Sequence, residues 1–303
     1  MSVAIVIPTW NAAATLTETI VSALGQNFLA AEIVVADDGS EDGSAAIAAG
    51  FAPRVRLVAG PHRGVSAARN RGIAAVSGDW IVFLDADDLL LPGTLLRRLR
   101  TAEAAAADIV VCDWAEFGDG PVTVRSAERE LAAADDLEAA CAASLWAPPA
   151  ALMYRRSLVE KIGGFRADLP VIQDARFLFD AVRHGGRLVR SAHVGARYRI
   201  TPRSLSRRDS TGFWRDVLHN GRQIEALWRA QGVLSPARCA ALAGIYDNAA
   251  RGLLRAAHPA YFDAAERQRR IGGPMPLHPR LAVPLARTVG LHATRRLFRF
   301  VGR

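Results

Sequence analysis

Trp80-Ile81-Val82-Phe83-Leu84-Asp85-Ala86-Asp87-Asp88 decides the reading of this chain. Five apolar residues in a row, β-branched and aromatic among them, read as a strand buried on both faces. Three carboxylates then follow within four positions. Working outward, the pattern repeats on the N-terminal side. Val3–Ile7, Glu32–Ala36 and Arg54–Ala59 read as strands, separated by helices over Thr15–Gln26, Asp42–Ala49 and Val65–Val76. Beyond the acidic run, Pro92–Ala106 reads as a helix with proline in its first turn. Ile109–Cys112 reads as the next strand. Short apolar strands alternating with helices predict an α/β domain, a mostly parallel sheet flanked by helices.

In such sheets ligands bind beyond the carboxyl ends of the strands. Three strands here end in polar clusters: Pro8-Thr9-Trp10-Asn11, Asp37-Asp38-Gly39-Ser40 and Asp85-Ala86-Asp87-Asp88. Asp85 and Asp87 flank one small residue where the chain leaves its strand, so both side chains can turn to one locus. Hard oxygen ligands of this kind suit Mg²⁺ or Mn²⁺, which share phosphate oxygens with the protein and neutralise a diphosphate leaving group. Asp87 is the expected direct metal ligand. Asp85 serves the ribose, a metal-bound water or the metal. An acidic turn ahead of the next helix would use the same residues. Asp37 and Asp38 have two readings as well: a turn leading into the helix at Asp42, or a carboxylate that accepts the N3 hydrogen of a uracil.

Four blocks taken together resemble the ordered motifs of family-2 inverting glycosyltransferases. They are Val6-Ile7-Pro8-Thr9-Trp10-Asn11, Val34-Val35-Ala36-Asp37-Asp38-Gly39-Ser40, Gly64-Val65-Ser66-Ala67-Ala68-Arg69-Asn70-Arg71-Gly72 and Phe83-Leu84-Asp85-Ala86-Asp87-Asp88. They cover about residues 3–92, and a weaker match continues to about Ser206. The resemblance implies a GT-A, Rossmann-like fold and transfer of a sugar from a UDP-sugar donor to an acceptor hydroxyl. It implies a base pocket lined by Pro8, Thr9 and Asp38, with Arg69, Asn70 and Ala86 near the ribose or diphosphate. Trp10 replaces the family's more usual tyrosine, and either stacks on the base or packs in the core.

The resemblance also implies a catalytic base in the second half of the domain. Gly163-Gly164-Phe165 precedes Gln173-Asp174, which makes Asp174 the base candidate; an acid favoured by a helix N-terminus is the other reading. Gln173 departs from the family's glutamate. Tyr198-Arg199-Ile200-Thr201 departs again, with Thr201 where a histidine is usual. Arg199, Arg203 and Arg207 are candidates to meet the diphosphate in compensation. His193 reads as structural.

The chain has 303 residues and a net charge of +8. From Arg207 to Arg303 there are 17 arginines against 6 acids, so the basic excess lies in the last third. The expected division is a nucleotide-sugar and acceptor domain over 1–206 and a basic helical region over 207–303. Leu281, Leu285, Val289, Leu297, Phe298 and Val301, interspersed with arginines, suit either a peripheral membrane contact through residues 275–303 or a helix packed on the main domain. Three dispersed cysteines and the absence of a long apolar stretch point to a reducing, cytoplasmic setting, with or without contact at the inner face of a membrane. No nucleic-acid recognition module or stacking pattern is present. No GxGxxG or P-loop pattern is present either. The implied acceptor is a saccharide or lipid-linked glycan. Sugar nucleotidyltransfer and a catalytically degenerate nucleotide-binding protein stand as the alternatives.

Overall fold

The computed structural model describes residues 1–26, 31–201, 204, 209–232, 234–271 and 277–301. They form two compact units, one of residues 1–133 and 146–201, the other of residues 134–145 and 202–303.

The first unit is built on one sheet. Its strands are β1 (Val3–Thr9), β2 (Ala31–Asp37), β3 (Arg56–Ala59), β4 (Trp80–Phe83), β5 (Leu89–Leu90), β6 (Ile109–Gly118), β7 (Thr123–Arg125), β8 (Leu152–Arg155) and β9 (Leu188–Ile200). Their order is β3-β2-β1-β4-β8-β6-β9-β5, with β7 paired to β6. The strands β1 to β4 are parallel, as the alternating sequence predicts. Beyond β4 the sheet is mixed: β8 runs antiparallel to both neighbours, whereas β6 and β9 are parallel. All seven residues of β1 are buried, which explains its unbroken apolar run.

Register places the polar ends together. Thr9 lies opposite Asp37, the last residue of β2, and Val6 lies opposite Phe83, the last residue of β4. The chain therefore leaves β1, β2 and β4 at the same sheet edge. The helix Val65–Ala75 crosses directly over β1, and a Cβ on Gly72 would collide with Val6 Cγ1. Only glycine permits that approach.

Under this edge lies an aromatic core. Phe165 stacks on Phe177 at 4.0 Å and meets Phe83 edge-on at 4.8 Å, while Tyr154 meets Phe177 at 5.1 Å. Such edge-to-face and offset pairs add to the burial energy and fix the rings' orientation. Phe83 precedes the acidic run, Phe165 belongs to the Gly-Gly-Phe turn and Phe177 follows Asp174. The core thus ties three motif-bearing segments to one another.

The second unit is helical among its described residues: Leu137–Ala143, Ser210–Ala230, Pro236–Arg255, Tyr261–Ile271, Leu277–Val289 and Leu291–Val301. Trp228, Leu242, Tyr246, Ala249, Leu253 and Tyr261 are buried in it. Many of its arginines are used internally. Arg222 pairs with Asp263 at 2.6 Å, Arg238 with Asp136 at 2.8 Å and Arg267 with Glu225 at 3.1 Å. The terminal amphipathic stretch is two helices broken at Gly290, whose φ is 83°. No helix among the described residues is long and apolar enough to cross a membrane.

Candidate active site

The first two strand ends are sewn together by side chains. Asp38 donates its N–H to the Thr9 carbonyl at 2.8 Å. Asn11 takes a left-handed conformation (φ 48°), donates its N–H to Ser40 Oγ and accepts from the Glu41 N–H, both at 2.9 Å. Pro8 and Thr9 are buried. Trp10 is not a core residue: it is exposed and stacks on His62, with ring centroids 4.5 Å apart and planes 19° from parallel.

Asp37 and Asp38 have different duties. Asp37 Oδ2 accepts from the N–H groups of Gly39 and Ser40, which makes the local turn. Asp38 instead reaches across to another loop. Its buried carboxylate accepts from the Arg63 N–H at 3.1 Å and the Gly64 N–H at 2.7 Å, and His62 Nδ1 lies 2.9 Å away. Asp38 therefore braces the loop that carries His62, beneath the Trp10 ring.

The helix Val65–Ala75 supplies Arg69 and Asn70. Asn70 is a clamp: its Nδ2 donates to the Phe165 carbonyl at 2.9 Å and its Oδ1 accepts from the Phe165 N–H at 2.7 Å. Gly164, at φ +96°, brings the turn within reach, and a Cβ there would press on Asn70 Oδ1. Arg69 is buried over the Phe165 ring. One arm donates to Asp85 Oδ1 at 2.5 Å and the other to Gln173 Oε1. Its Nε is buried with no partner among the described residues.

Besides Arg69, the acidic loop is held by two hydroxyls and Arg199. Thr15 Oγ1 donates to the Ala86 carbonyl at 2.8 Å, and Thr19 Oγ1 to that of Asp88 at 2.9 Å. Arg199 donates its N–H to Asp88 Oδ1 and its Nε to the Asp87 carbonyl, both at 2.8 Å, and pairs with Glu18. Arg199 thus holds the loop from behind. Arg203 and Arg207 lie outside the described residues.

Asp85, Asp87 and Asp88 crowd one another. Burial and the neighbouring Asp85 push the Asp87 carboxyl up to about 6. Asp88 is wholly buried, and burial with both neighbours raises its carboxyl well above the usual range. Asp88 Oδ2 is buried without a partner among the described residues. Hard oxygens in excess of the positive charge around them suit a divalent cation. Among the described residues no three His, Cys, Asp or Glu side chains converge as a complete metal site.

Asp174 opens the helix Gln173–Arg183, where the helix dipole favours an anion. Burial pushes its carboxyl up; Arg69, a hydrogen bond from Trp146 and the Ala175 N–H oppose this. Trp146 Nε1 donates to Asp174 Oδ2 at 3.0 Å. The indole meets Trp114 and Tyr198 edge-on, at 6.2 and 5.7 Å. The Tyr198 hydroxyl is held protonated by burial and by the carboxylates of Asp88, Asp85, Asp174 and Asp87. Sequence reasoning named Tyr198 only as part of a segment and passed over Trp146, which no spacing signal marks. His193 is a structural residue, bonded to Thr94 at 3.0 Å and Ser191 at 3.1 Å.

The geometry can be set beside known proteins. Residues 4–163 match the Glycosyl transferase family 2 profile. The succinoglycan biosynthesis protein ExoO of Rhizobium meliloti (strain 1021) is 44% identical over 111 residues, 36% of this chain and 32% of that protein. EpsJ of Bacillus subtilis (strain 168), an uncharacterised glycosyltransferase, is 31% identical over 219 residues, 67% of this chain and 62% of EpsJ. The matched stretch thus spans about a third to under two thirds of these relatives. Among solved structures, S. aureus TarS 1–349 superposes with a TM-score of 0.70 at 16% identity, covering 99% of this chain and 91% of TarS 1–349. The mannosyltransferase PcManGT of Pyrobaculum calidifontis gives 0.59 at 19% identity, over 98% and 82%. The fold is GT-A, and the chain belongs to glycosyltransferase family 2.

Proposed function

We propose that this protein is an inverting glycosyltransferase that moves a sugar from a UDP-sugar to an acceptor hydroxyl in the synthesis of an envelope polysaccharide or glycolipid. Pro8, Thr9, Trp10, Asn11 and Asp38 frame the base; Arg69, Asn70, Asp85 and Ala86 shape the ribose and diphosphate end. Asp87, with Asp85, would hold Mg²⁺ or Mn²⁺, which would offset charge on the leaving diphosphate. Asp174 takes the proton of the acceptor hydroxyl. The freed oxygen bonds to the anomeric carbon from the face opposite the diphosphate. The bond from that carbon to the donor phosphate oxygen breaks, UDP departs with its electron pair, and the configuration inverts.

One observation carries this reading. Arg69 bonds at once to Asp85 in the acidic loop and to Gln173, the residue before Asp174. A buried guanidinium thus ties the acidic loop to the first residue of the helix that carries Asp174. The neighbours support the ligand class: TarS 1–349 has been crystallised with UDP and with UDP-GlcNAc, and PcManGT with GDP-Man and Mn²⁺. The test is UDP release from a panel of UDP-sugars, with Mn²⁺ or with chelator. Metal-dependent release that Asp174→Asn abolishes, while UDP still binds, is the expected result. Full activity of Asp174→Asn would remove its role, and release of pyrophosphate from UTP and a sugar phosphate would indicate nucleotidyltransfer.

The terminal helices extend the proposal to a peripheral contact with an anionic membrane surface. Ala282, Ala286 and Thr294 are buried, whereas Leu281, Val289 and Leu297 are exposed beside the exposed Arg287 and Arg296. Large apolar residues facing outward among arginines suit an interfacial helix. Co-sedimentation with vesicles containing phosphatidylglycerol should be lost in Leu281→Glu/Leu297→Glu. Equal pelleting of both forms would end the idea.

A further inference from the structure

We infer that Trp146 is a positioning residue for the base, one that engages Oδ2 of Asp174 and so leaves Oδ1 to meet the acceptor hydroxyl. The inference rests on the proposed role of Asp174 and adds a residue to it.

The argument begins from the carboxylate. A free carboxylate has two equivalent oxygens and rotates between them, but a general base must present one of them along the path of the proton. At Asp174 the two oxygens are made different by the indole N–H, which donates to Oδ2 at 3.0 Å. Indole is a donor only, so this bond fixes the carboxylate as acceptor and cannot reverse its sense.

The indole is itself held. Trp114 and Tyr198 meet it edge-on, with interplanar angles of 89° and 73°. Trp114 is 5% exposed and lies in β6; Tyr198 lies in β9. These two strands pair in parallel, with a register shift beside Trp114, where Trp114 aligns with Ala196. The ring therefore rests on the sheet itself, not on a loop. Trp146 also follows directly on residues 134–145, which belong to the helical unit, so the chain re-enters the sheet domain at the residue that touches the base.

Besides the indole, the Ala175 N–H donates to the Asp174 carboxylate. Arg69 faces it from the helix over β1, Asp85 from the loop after β4 and Tyr198 from β9. Arg69 already gives one arm to Asp85 and the other to the uncharged Gln173. With glutamine in place of glutamate, the buried guanidinium is opposed by one fewer carboxylate, and more of its field reaches Asp174. The indole N–H is the neutral partner that aims the charge Arg69 favours.

The experiment uses the full chain and two readouts. In the first, the indole ¹⁵N–¹H resonance missing from Trp146→Phe is followed with pH. It should shift as Asp174 titrates and should not do so in Asp174→Asn. In the second, UDP release from the best UDP-sugar is measured against pH. Trp146→Phe keeps an apolar ring and loses the donor; it should lower kcat about tenfold or more and move the acid limb upward by about one unit, with UDP affinity unchanged. Trp146→His, which restores a ring N–H, should recover part of the rate. A pH-independent indole resonance, or a Trp146→Phe enzyme with wild-type kcat and acid limb, would overturn the inference. If instead Asp174→Asn is fully active, the base assignment itself fails.

Discussion

Two parallel strands of this sheet end in adjacent aspartates, and the two pairs do opposite things. After β2, Asp37 Oδ2 accepts the N–H groups of Gly39 and Ser40, with Oδ1 buried and without a partner among the described residues, and Asp38 accepts those of Arg63 and Gly64. After β4, Asp85, Asp87 and Asp88 crowd one another; Asp85 takes one arm of Arg69, Asp88 the backbone N–H of Arg199, and the Arg199 guanidinium meets the loop only at the Asp87 carbonyl. The first cluster builds a loop. The second accumulates negative charge that its own donors do not balance, which shows in the raised carboxyls of Asp87 and Asp88. Both read as "DD" in sequence. What separates them is their neighbours: the first pair meets backbone N–H groups of its own turn and of the loop at Arg63, whereas the second sits among other carboxylates, an arrangement that suits a cation.

The largest effect should come from the unbalanced cluster. Asp87→Asn is expected to reduce metal-dependent UDP release about a thousandfold, with the urea denaturation midpoint unchanged or raised. A variant that loses activity only because it unfolds would break the distinction. The next effect should come from the balanced cluster. Asp38→Ala removes the acceptor of the Arg63 and Gly64 N–H groups and should cost about 1–2 kcal/mol of stability in urea, with weaker UDP binding measured by calorimetry. A smaller effect of opposite sign is expected at Asp88. Asparagine there keeps an acceptor for the Arg199 N–H and removes a buried charge, so Asp88→Asn should leave stability intact or raise it by about 1 kcal/mol. A loss matching that of Asp38→Ala would mean that both clusters are braces.

The smallest effect lies away from both strand ends and serves as a control. Burial and the nearby Arg98 and Arg97 push His193 down from 6.5 to about 4. Between those values the unfolded chain takes a proton that the folded chain refuses. Stability should therefore be full above about pH 6.5 and fall as pH drops toward 4. The loss should be about 1 kcal/mol after allowance for solvent screening. His193→Gln should flatten that part of the urea-stability profile while leaving UDP release at neutral pH unchanged.

Much of the donor side was legible because parallel strands are local units. Apolar runs with polar ends define β1, β2 and β4, and a parallel sheet then places those ends on one edge. The acceptor side was less so. The strand after Pro92–Ala106 is ten residues long, not the four of Ile109–Cys112, because β6 pairs along its whole length with β9 and in successive stretches with β8 and β7, and carries Trp114 toward Trp146. Glu128–Ala132 and Tyr261–Ile271 are helices that periodicity did not pick out. The helix Leu137–Ala143 joins the helical unit through Asp136–Arg238 and Glu138–Trp228, pairs separated by 102 and 90 residues. Hydrogen bonds across such distances leave no local pattern.

By itself the sequence determined the class of fold, the family and the acidic loop, since each is carried by residues close together in the chain. Tertiary structure alone decided what each acid does. It turned Asp38 into a brace, Asn70 into a clamp on Phe165 and Arg199 into the rear support of the acidic loop. It also joined Arg69 to Asp85 and Gln173, and brought Trp146 to Asp174. The physical reason is that a carboxylate's role is set by the donors and charges that surround it in space, and most of those come from elsewhere in the chain.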